Sequence, residues 1–193
     1  MWGVVVLSAS LGMVATVRVA ASQAYFSEPV AHKNEAFEGL FAQVAPRVYM
    51  AGQPSEKALA QLSDLDVTTV INLRTPQEMD NRDVVPFDEA AVVGALGLEY
   101  VHLPLGGPGT PYAPAAVEQL AEALRRAEGK VLLHCTVAWR ASHLWAAYLI
   151  REHGVASAEA VAISRQLNFG NIPLEGFLGQ TLNIEVADER ITD

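Results

Sequence analysis

The residues best suited to covalent chemistry lie in one short segment, residues 130–140, which reads KVLLHCTVAWR. It contains His134 and Cys135, the one cysteine of the 193-residue chain, and ends at Arg140. A cysteine thiolate is a strong nucleophile. An arginine presents a planar set of N–H donors that fits two oxygens of a phosphate. Together, these residue types predict a nucleophile beneath a site for an oxyanion.

The elements around this segment would position both groups. The apolar run at 131–133 is typical of a buried parallel strand, and residues 140–153 have the pattern of an amphipathic helix. A strand, a tight loop and a helix bring backbone N–H groups and the positive end of the helix dipole to one point. Negative charge on Cys135 would be stabilised there. The alternative is an inert, buried cysteine, and the segment alone leaves both interpretations open.

Composition narrows the class of protein. At 193 residues, with 51% hydrophobic and 18% charged residues, the chain is long enough for one domain with a core. Its net charge of −9 argues against nucleic acid or an anionic membrane surface as a partner, so an anionic substrate would need a local positive site. The five histidines show no metal-ligand spacing, and neither a metal nor another cofactor is expected.

Residues 1–24 have the features of an export signal. An apolar stretch at 4–17 is followed by Arg18, and Ser22 and Ala24 are small residues at the two positions that signal peptidase reads. Cleavage near Ala24 would give a periplasmic or secreted protein. The first three residues lack a basic side chain. This leaves three alternatives, which are an uncleaved N-terminal anchor (the only expected membrane contact), a mis-assigned start codon and a cytosolic chain.

The rest of the chain predicts an α/β domain at 47–167, between a polar N-terminal extension (25–46) packed loosely over its edge and a C-terminal extension (168–193) lying over its surface. Further strands are predicted at 47–51, 67–73 and 98–105, a charged loop at 74–86, and helices at 56–65, 87–96, 114–127 and 157–167. Alternating strands and helices favour a mostly parallel sheet covered on both faces. Ligands of such sheets bind beyond the carboxyl ends of the strands, where Cys135 is expected.

These pieces, in this order, resemble the cysteine-dependent phosphatase superfamily of the tyrosine and dual-specificity type. The resemblance is greatest to the bacterial branch with the short Cys-x4-Arg loop. The matching segments are VYMAGQPS (48–55), VTTVINLR (67–74), LEYVHLP (98–104), VLLHCTVAWR (131–140) and LWAAYLIR (144–151). They span about two thirds of the chain and imply a dual-specificity-phosphatase-like fold.

The resemblance also implies a reaction, the hydrolysis of a phosphomonoester in two steps. Cys135 would attack phosphorus to form a phosphocysteine, which water then hydrolyses. Arg140 would bind two phosphate oxygens, and His134 would brace the loop and favour the thiolate. The implied phosphate-binding N–H groups belong to Thr136, Val137, Ala138, Trp139 and Arg140. The implied partner is a phosphorylated substrate, either a phosphoprotein or a small phosphomonoester, and no metal is needed.

Two loop residues depart from the family pattern. Ala138 stands where the family has glycine, and Trp139 where it usually has a small polar residue. If φ is positive at that glycine position, alanine costs about 1–2 kcal/mol there. Trp139 would either shield the site or pack into the core from the first turn of the helix.

A third departure concerns the proton donor to the leaving group. Relatives usually carry an aspartate on the loop after the strand at 98–105, but residues 106–114 contain no carboxylate. The candidate replacements are Glu78, Asp80, Asp83 and Glu118. A missing acid costs about 10²–10⁴ in rate and affects aryl phosphates least. The sequence therefore predicts a weak enzyme, or one restricted to aryl phosphates.

The sequence says less about the roles of the other polar residues in these segments. Arg74 is expected either to support the site or to lie on the surface. His102 and His143 are expected to pack in the core.

Two rival functions remain at this stage. A rhodanese-type sulfurtransferase also uses a Cys-x4-Arg loop, although the upstream segments at 51–55 and 70–74 favour the phosphatase. A catalytically degenerate phosphate-binding module would explain Ala138, Trp139 and the absent acid.

Overall fold

A computed structural model describes residues 29–32, 34, 36–37, 39–169 and 173–182 of the chain. The predicted export signal at 1–24 lies outside these residues. Within the described residues, no helix has the length and apolar character needed to cross a membrane.

Six strands of the described segments form one sheet. They are β1 (Val30–Ala31), β2 (Phe41–Ala45), β3 (Val48–Ala51), β4 (Val67–Asn72), β5 (Glu99–His102) and β6 (Lys130–His134). Their order across the sheet is β1-β2-β3-β6-β4-β5. Pairing is parallel from β3 through β6 and β4 to β5, and β2 is antiparallel to both β1 and β3. The sheet is therefore mostly parallel, as predicted, and its most apolar strand, β6, lies near its centre.

Within the part of the chain that the structure describes, seven α-helices cover the sheet. They are α1 (Glu56–Ala60), α2 (Pro76–Asp80), α3 (Glu89–Ala95), α4 (Pro114–Arg126), α5 (Trp139–His153), α6 (Ser157–Arg165) and α7 (Leu174–Leu178). The larger core packs α4, α5, α6 and α7 against one face of the sheet. A smaller core packs α1 and α3 against the other face. The most buried of the long helices is α5, whose residues 141–149 are all buried.

The N-terminal extension was expected to pack loosely, and this expectation is wrong for β2. Four of the five β2 residues are buried. Phe41 stacks on Phe37, with ring centroids 4.0 Å apart, and on Tyr49 at 5.2 Å. These aromatic contacts cover the outer part of the sheet and make β2 an integral strand.

The C-terminal extension was expected to lie over the surface, which is wrong for α7. Leu174 and Phe177 are buried in the larger core. Their spacing of three places both side chains on one face of a short helix. The Phe177 ring also meets the ring of Tyr112 edge-on, at 5.4 Å.

Two predicted segments differ in detail. The helix predicted at 56–65 ends at Ala60, and a 3₁₀ turn, Ser63–Leu65, follows it. The loop predicted at 74–86 contains the helix α2. This second difference matters for function because α2 lies beside Arg140.

Candidate active site

Cys135 follows β6 directly, at the carboxyl edge of the sheet. The last residue of β6, His134, pairs with Ala51 of β3 and with Asn72 of β4. The Cys135 side chain is 1% exposed. The predicted nucleophile therefore lies between the ends of three parallel strands, which is the usual ligand position of such sheets.

Neighbouring segments hold the loop between Cys135 and α5 from outside. The Gln53 backbone N–H donates to the Thr136 carbonyl at 3.0 Å. The Asn168 side-chain amide donates to the Val137 carbonyl at 2.8 Å. Two carbonyl groups of the loop are therefore fixed by residues far away in the sequence.

Ala138 adopts a left-handed conformation in this loop, with φ of 62° and ψ of 1°, and is fully buried. In this conformation an alanine is strained by about 1–2 kcal/mol. Alanine therefore holds a backbone position that suits glycine.

We expect Ala138→Gly to release this strain. The matched control is Ala141→Gly in α5, where the alanine is also fully buried. Both changes remove one buried methyl group and loosen the unfolded chain, but only the first relieves a positive φ. Ala138→Gly should therefore be more stable than Ala141→Gly by at least about 1–2 kcal/mol. Equal stabilities in urea unfolding would show that the left-handed conformation carries no strain.

Arg140, in the first turn of α5, points its guanidinium at α2. Nη1 donates to Glu78 Oε2 at 2.7 Å, and Nη2 donates to Glu78 Oε1 at 2.6 Å. Further acceptors are Thr136 Oγ1 at 3.0 Å and the carbonyl oxygens of Leu105 at 3.0 Å and Leu73 at 3.3 Å. The guanidinium thus holds a carboxylate in a two-pronged arrangement.

The helix cap of α2 fixes Glu78. Glu78 Oε2 accepts from the Thr75 backbone N–H at 2.8 Å, and Thr75 Oγ1 accepts from the Glu78 backbone N–H at 3.3 Å, which is a capping box. Burial alone would raise the pKa of Glu78, but hydrogen bonds from Arg140 and from the Thr75 backbone lower it to about 2. Glu78 is therefore ionised at neutral pH and carries no proton to donate.

The other candidate acids lie elsewhere. Asp80 and Asp83 are exposed. Glu118 is exposed on α4 and pairs with Arg151 at 3.2 Å. None of the three is among the residues that line the cavity beside Arg140. The structure therefore does not bring them together with Arg140.

A buried network lies behind Cys135. Nε2 of His134 is 2.9 Å from Glu89 Oε1, and neither side chain is exposed. Glu89 also accepts from Asn72 Nδ2 at 3.1 Å and from Gln53 Nε2 at 2.5 Å. Burial would raise the pKa of Glu89, but the charge and hydrogen bond of His134 hold it below the ordinary value. An ionised carboxylate therefore adjoins the imidazole of His134, the residue that precedes Cys135.

Arg74 supports this network. Its Nη1 donates to Gln53 Oε1 at 2.7 Å, and the residue is 2% exposed.

Of the two histidines expected in the core, His143 is fully buried and stacks on Phe169 at 4.0 Å, which confirms the expectation. The expectation is wrong for His102, which ends the edge strand β5 and is exposed.

We expect Glu89→Gln to destabilise the fold by about 2 kcal/mol, because it removes a charged partner from buried hydrogen bonds. The folded-state pKa of Glu89 is lowered, so its contribution is fully present above the ordinary pKa of 4.5 and declines as the pH falls through the lowered value. The difference in the free energy of unfolding between Glu89→Gln and the wild type, measured in urea, should therefore become smaller in acid. The control is Glu122→Gln, at an exposed ion pair with Arg125, and a similar effect at both sites would contradict the expectation.

An open cavity of about 580 Å³ lies beside Arg140. Among the residues that line it are Thr75, Glu78, Leu105, Tyr112, Trp139 and Arg140. Trp139 is partly exposed and meets Tyr112 nearly perpendicularly, with ring centroids 6.4 Å apart. Trp139 therefore forms a wall of the cavity instead of packing into the core.

In the described part of the chain, no group of three or more metal-ligating side chains is placed to hold an ion.

Solved structures with this fold include several phosphatases. A candidate phosphatase of the DUF442 group from Shewanella putrefaciens CN-32 is 26% identical, with a TM-score of 0.57 over 72% of this chain and 88% of its own. TpbA from P. aeruginosa, in a cysteine-to-serine variant bound to phosphotyrosine, is 21% identical, with a TM-score of 0.54 over 72% and 77%. The Siw14 catalytic core is 13% identical, with a TM-score of 0.54 over 71% and 79%. The last two show likeness of fold alone. No curated protein matches the sequence.

A family model adds a direct assignment from the sequence. It describes the phosphatase-like domain of beta-lactamase hydrolase-like proteins and matches residues 40–150. This range covers more than half of the chain and includes Cys135 and Arg140. The chain therefore belongs to the family of the beta-lactamase hydrolase-like phosphatase-like domain, within the cysteine-dependent tyrosine and dual-specificity phosphatase superfamily.

Proposed function

We propose that this protein hydrolyses phosphomonoesters through a phosphocysteine intermediate. The observation that carries the proposal is the carboxylate of Glu78 held by both terminal nitrogens of Arg140, five residues after Cys135. A carboxylate and a phosphate both offer two coplanar acceptor oxygens to a guanidinium. The guanidinium of Arg140 therefore already holds an anion with the two-oxygen geometry that a phosphate would present.

The charges of Cys135 and Glu78 act on the guanidinium of Arg140. Burial alone would lower the pKa of Arg140, but the hydrogen bond to Glu78 and the charges of Cys135 and Glu78 raise it. The guanidinium therefore stays charged throughout catalysis. In the proposed first step the Cys135 thiolate attacks phosphorus and the ester oxygen leaves, and in the second step water attacks phosphorus and the thiolate departs. Arg140 and the backbone N–H groups of residues 136–140 hold the charge that builds on the phosphoryl oxygens.

The substrates best suited to the cavity are aryl phosphates. Trp139 and Tyr112 supply two aromatic surfaces beside Arg140, and such surfaces pack well against another ring. The carboxylate that lines the cavity, Glu78, is ionised and cannot protonate a poor leaving group. Phosphotyrosine and small aryl phosphates need that proton least.

The proposed location is the periplasm or the exterior of the cell, with an uncleaved anchor as the alternative. It is based on the sequence of residues 1–24 alone. A mature N-terminus that begins after Ala24 would support export and cleavage.

Mass spectrometry of the reacting protein tests the proposed chemistry. After a rapid acid quench during turnover of p-nitrophenyl phosphate, we expect a phosphoryl group on the peptide that contains Cys135. Turnover without this adduct would overturn the intermediate. Phosphate binding without turnover would indicate a binding module. Thiocyanate production from thiosulfate and cyanide, with no phosphatase activity, would assign the loop to rhodanese-type chemistry.

A further inference from the structure

We propose that the phenol of Tyr112 is the proton donor to the leaving group. This inference rests on the proposed phosphatase function and names a catalytic residue for it. Tyr112 lies on the segment between β5 and α4 and lines the cavity beside Arg140.

The Tyr112 ring is held in place from two sides. It meets Trp139 at 6.4 Å with an interplanar angle of 86°, and Phe177 at 5.4 Å with an angle of 71°. Its hydroxyl lies against Gly106, where an added Cβ would overlap it. Gly106 has a φ of +83°. The backbone opposite the phenol therefore requires a glycine both for its conformation and for the space that the hydroxyl occupies.

Tyr112 lines the same cavity as Arg140 and Glu78. The charged or titratable groups that act on the phenol are Arg140 in α5, Cys135 after β6 and Glu78 in α2. Burial raises the pKa of Tyr112, the charges of Cys135 and Glu78 raise it further, and Arg140 opposes them. The phenol therefore keeps its proton at neutral pH, whereas Glu78, on the same cavity, has lost its proton.

The proton balance of both steps follows. As the S–P bond forms and the P–O bond to the leaving group breaks, the phenolic proton passes to the departing oxygen, and Tyr112 becomes a phenolate. Arg140 stabilises this phenolate. In the second step the attacking water gives one proton to the phenolate as the new P–O bond forms and the P–S bond breaks. The thiolate and the neutral phenol are both restored.

Two substrates and the variant Tyr112→Phe test the role. An alkyl phosphate has a leaving group that needs a proton, whereas p-nitrophenolate leaves without one. We expect Tyr112→Phe to lower kcat for the alkyl phosphate about 10²-fold or more, and this loss should be at least about tenfold larger than the loss for p-nitrophenyl phosphate. The control is Tyr49→Phe, which makes the same chemical change at a buried tyrosine of β3, and it should affect neither substrate.

The pH profile separates a phenol from a carboxylic acid. With a tyrosine donor, kcat/KM of the wild type for the alkyl phosphate should stay flat between about pH 7 and pH 9. A fall of about tenfold per pH unit across this window would indicate a carboxylic acid and overturn the inference. Equal losses for both substrates in Tyr112→Phe would also overturn it, because they would indicate a packing role. Turnover of p-nitrophenyl phosphate by the wild type with none of the alkyl phosphate would also overturn it, because the leaving group would then receive no proton. Absence of turnover of both substrates would instead refute the proposed function.

Discussion

The variant Cys135→Ser is expected to lose about 10⁴-fold or more of the wild-type rate on p-nitrophenyl phosphate, because a serine hydroxyl is not ionised at neutral pH. No other cysteine in the chain could substitute for it. Cys135 is 1% exposed at the end of β6, and serine has nearly the same volume. The fold should therefore survive the change.

Two measurements decide the interpretation of this variant. Its cooperative urea unfolding and its binding of inorganic phosphate should remain, since Arg140 and its partners are untouched. A rate within about tenfold of wild type would refute covalent catalysis by Cys135. Loss of phosphate binding together with activity would point to a damaged loop, and Cys135→Ala would then separate loop damage from lost chemistry.

The second large effect is expected for Arg140→Lys. Lysine keeps the charge but presents a single nitrogen, so it cannot hold two oxygens of one phosphate side by side. It also loses contacts with the carbonyl groups of Leu73 and Leu105. We expect kcat/KM for p-nitrophenyl phosphate to fall about 10³-fold, with part of the loss in phosphate affinity.

The matched control for this variant is Arg126→Lys. Arg126 is an exposed arginine of α4 that pairs with Glu99 at 3.3 Å, away from the cavity beside Arg140. It should keep wild-type kinetics. If Arg140→Lys were as active as this control, the phosphate would be held by backbone groups alone, and the two-pronged contact would have no catalytic role.

The site elements that are local in sequence were predictable. The apolar run before Cys135, the short loop and the long helix after it follow each other along the chain, so their order alone places the sulfur at the edge of a parallel sheet. The strain at Ala138 was predictable only through the family resemblance, which implies a glycine at this position, because glycine adopts a positive φ at little cost. The structure gives its φ as 62°.

What escaped prediction depends on contacts between distant residues. The sequence indicates Glu78 as a candidate acid, but Thr75, Pro76 and Glu78 together also form the sequence signal of a capped helix. That signal could have revealed α2, but not that its carboxylate reaches Arg140, 62 residues away. Likewise, β2 and α7 are short, and they are stable because they are buried against the rest of the molecule.

The carboxylate of Glu78 accepts hydrogen bonds both from Arg140 and from the backbone N–H of Thr75. A phosphate that binds both terminal nitrogens of Arg140 must therefore displace the Glu78 carboxylate, which is also an anion. This displacement also disrupts the capping box in the first turn of α2. Occupancy by phosphate is then an exchange and never a simple addition. The measured affinity for phosphate therefore reflects the difference between the free energies with which Arg140 binds phosphate and binds Glu78. Tight binding of the phosphate product is disfavoured, and the product should dissociate readily before the next substrate binds.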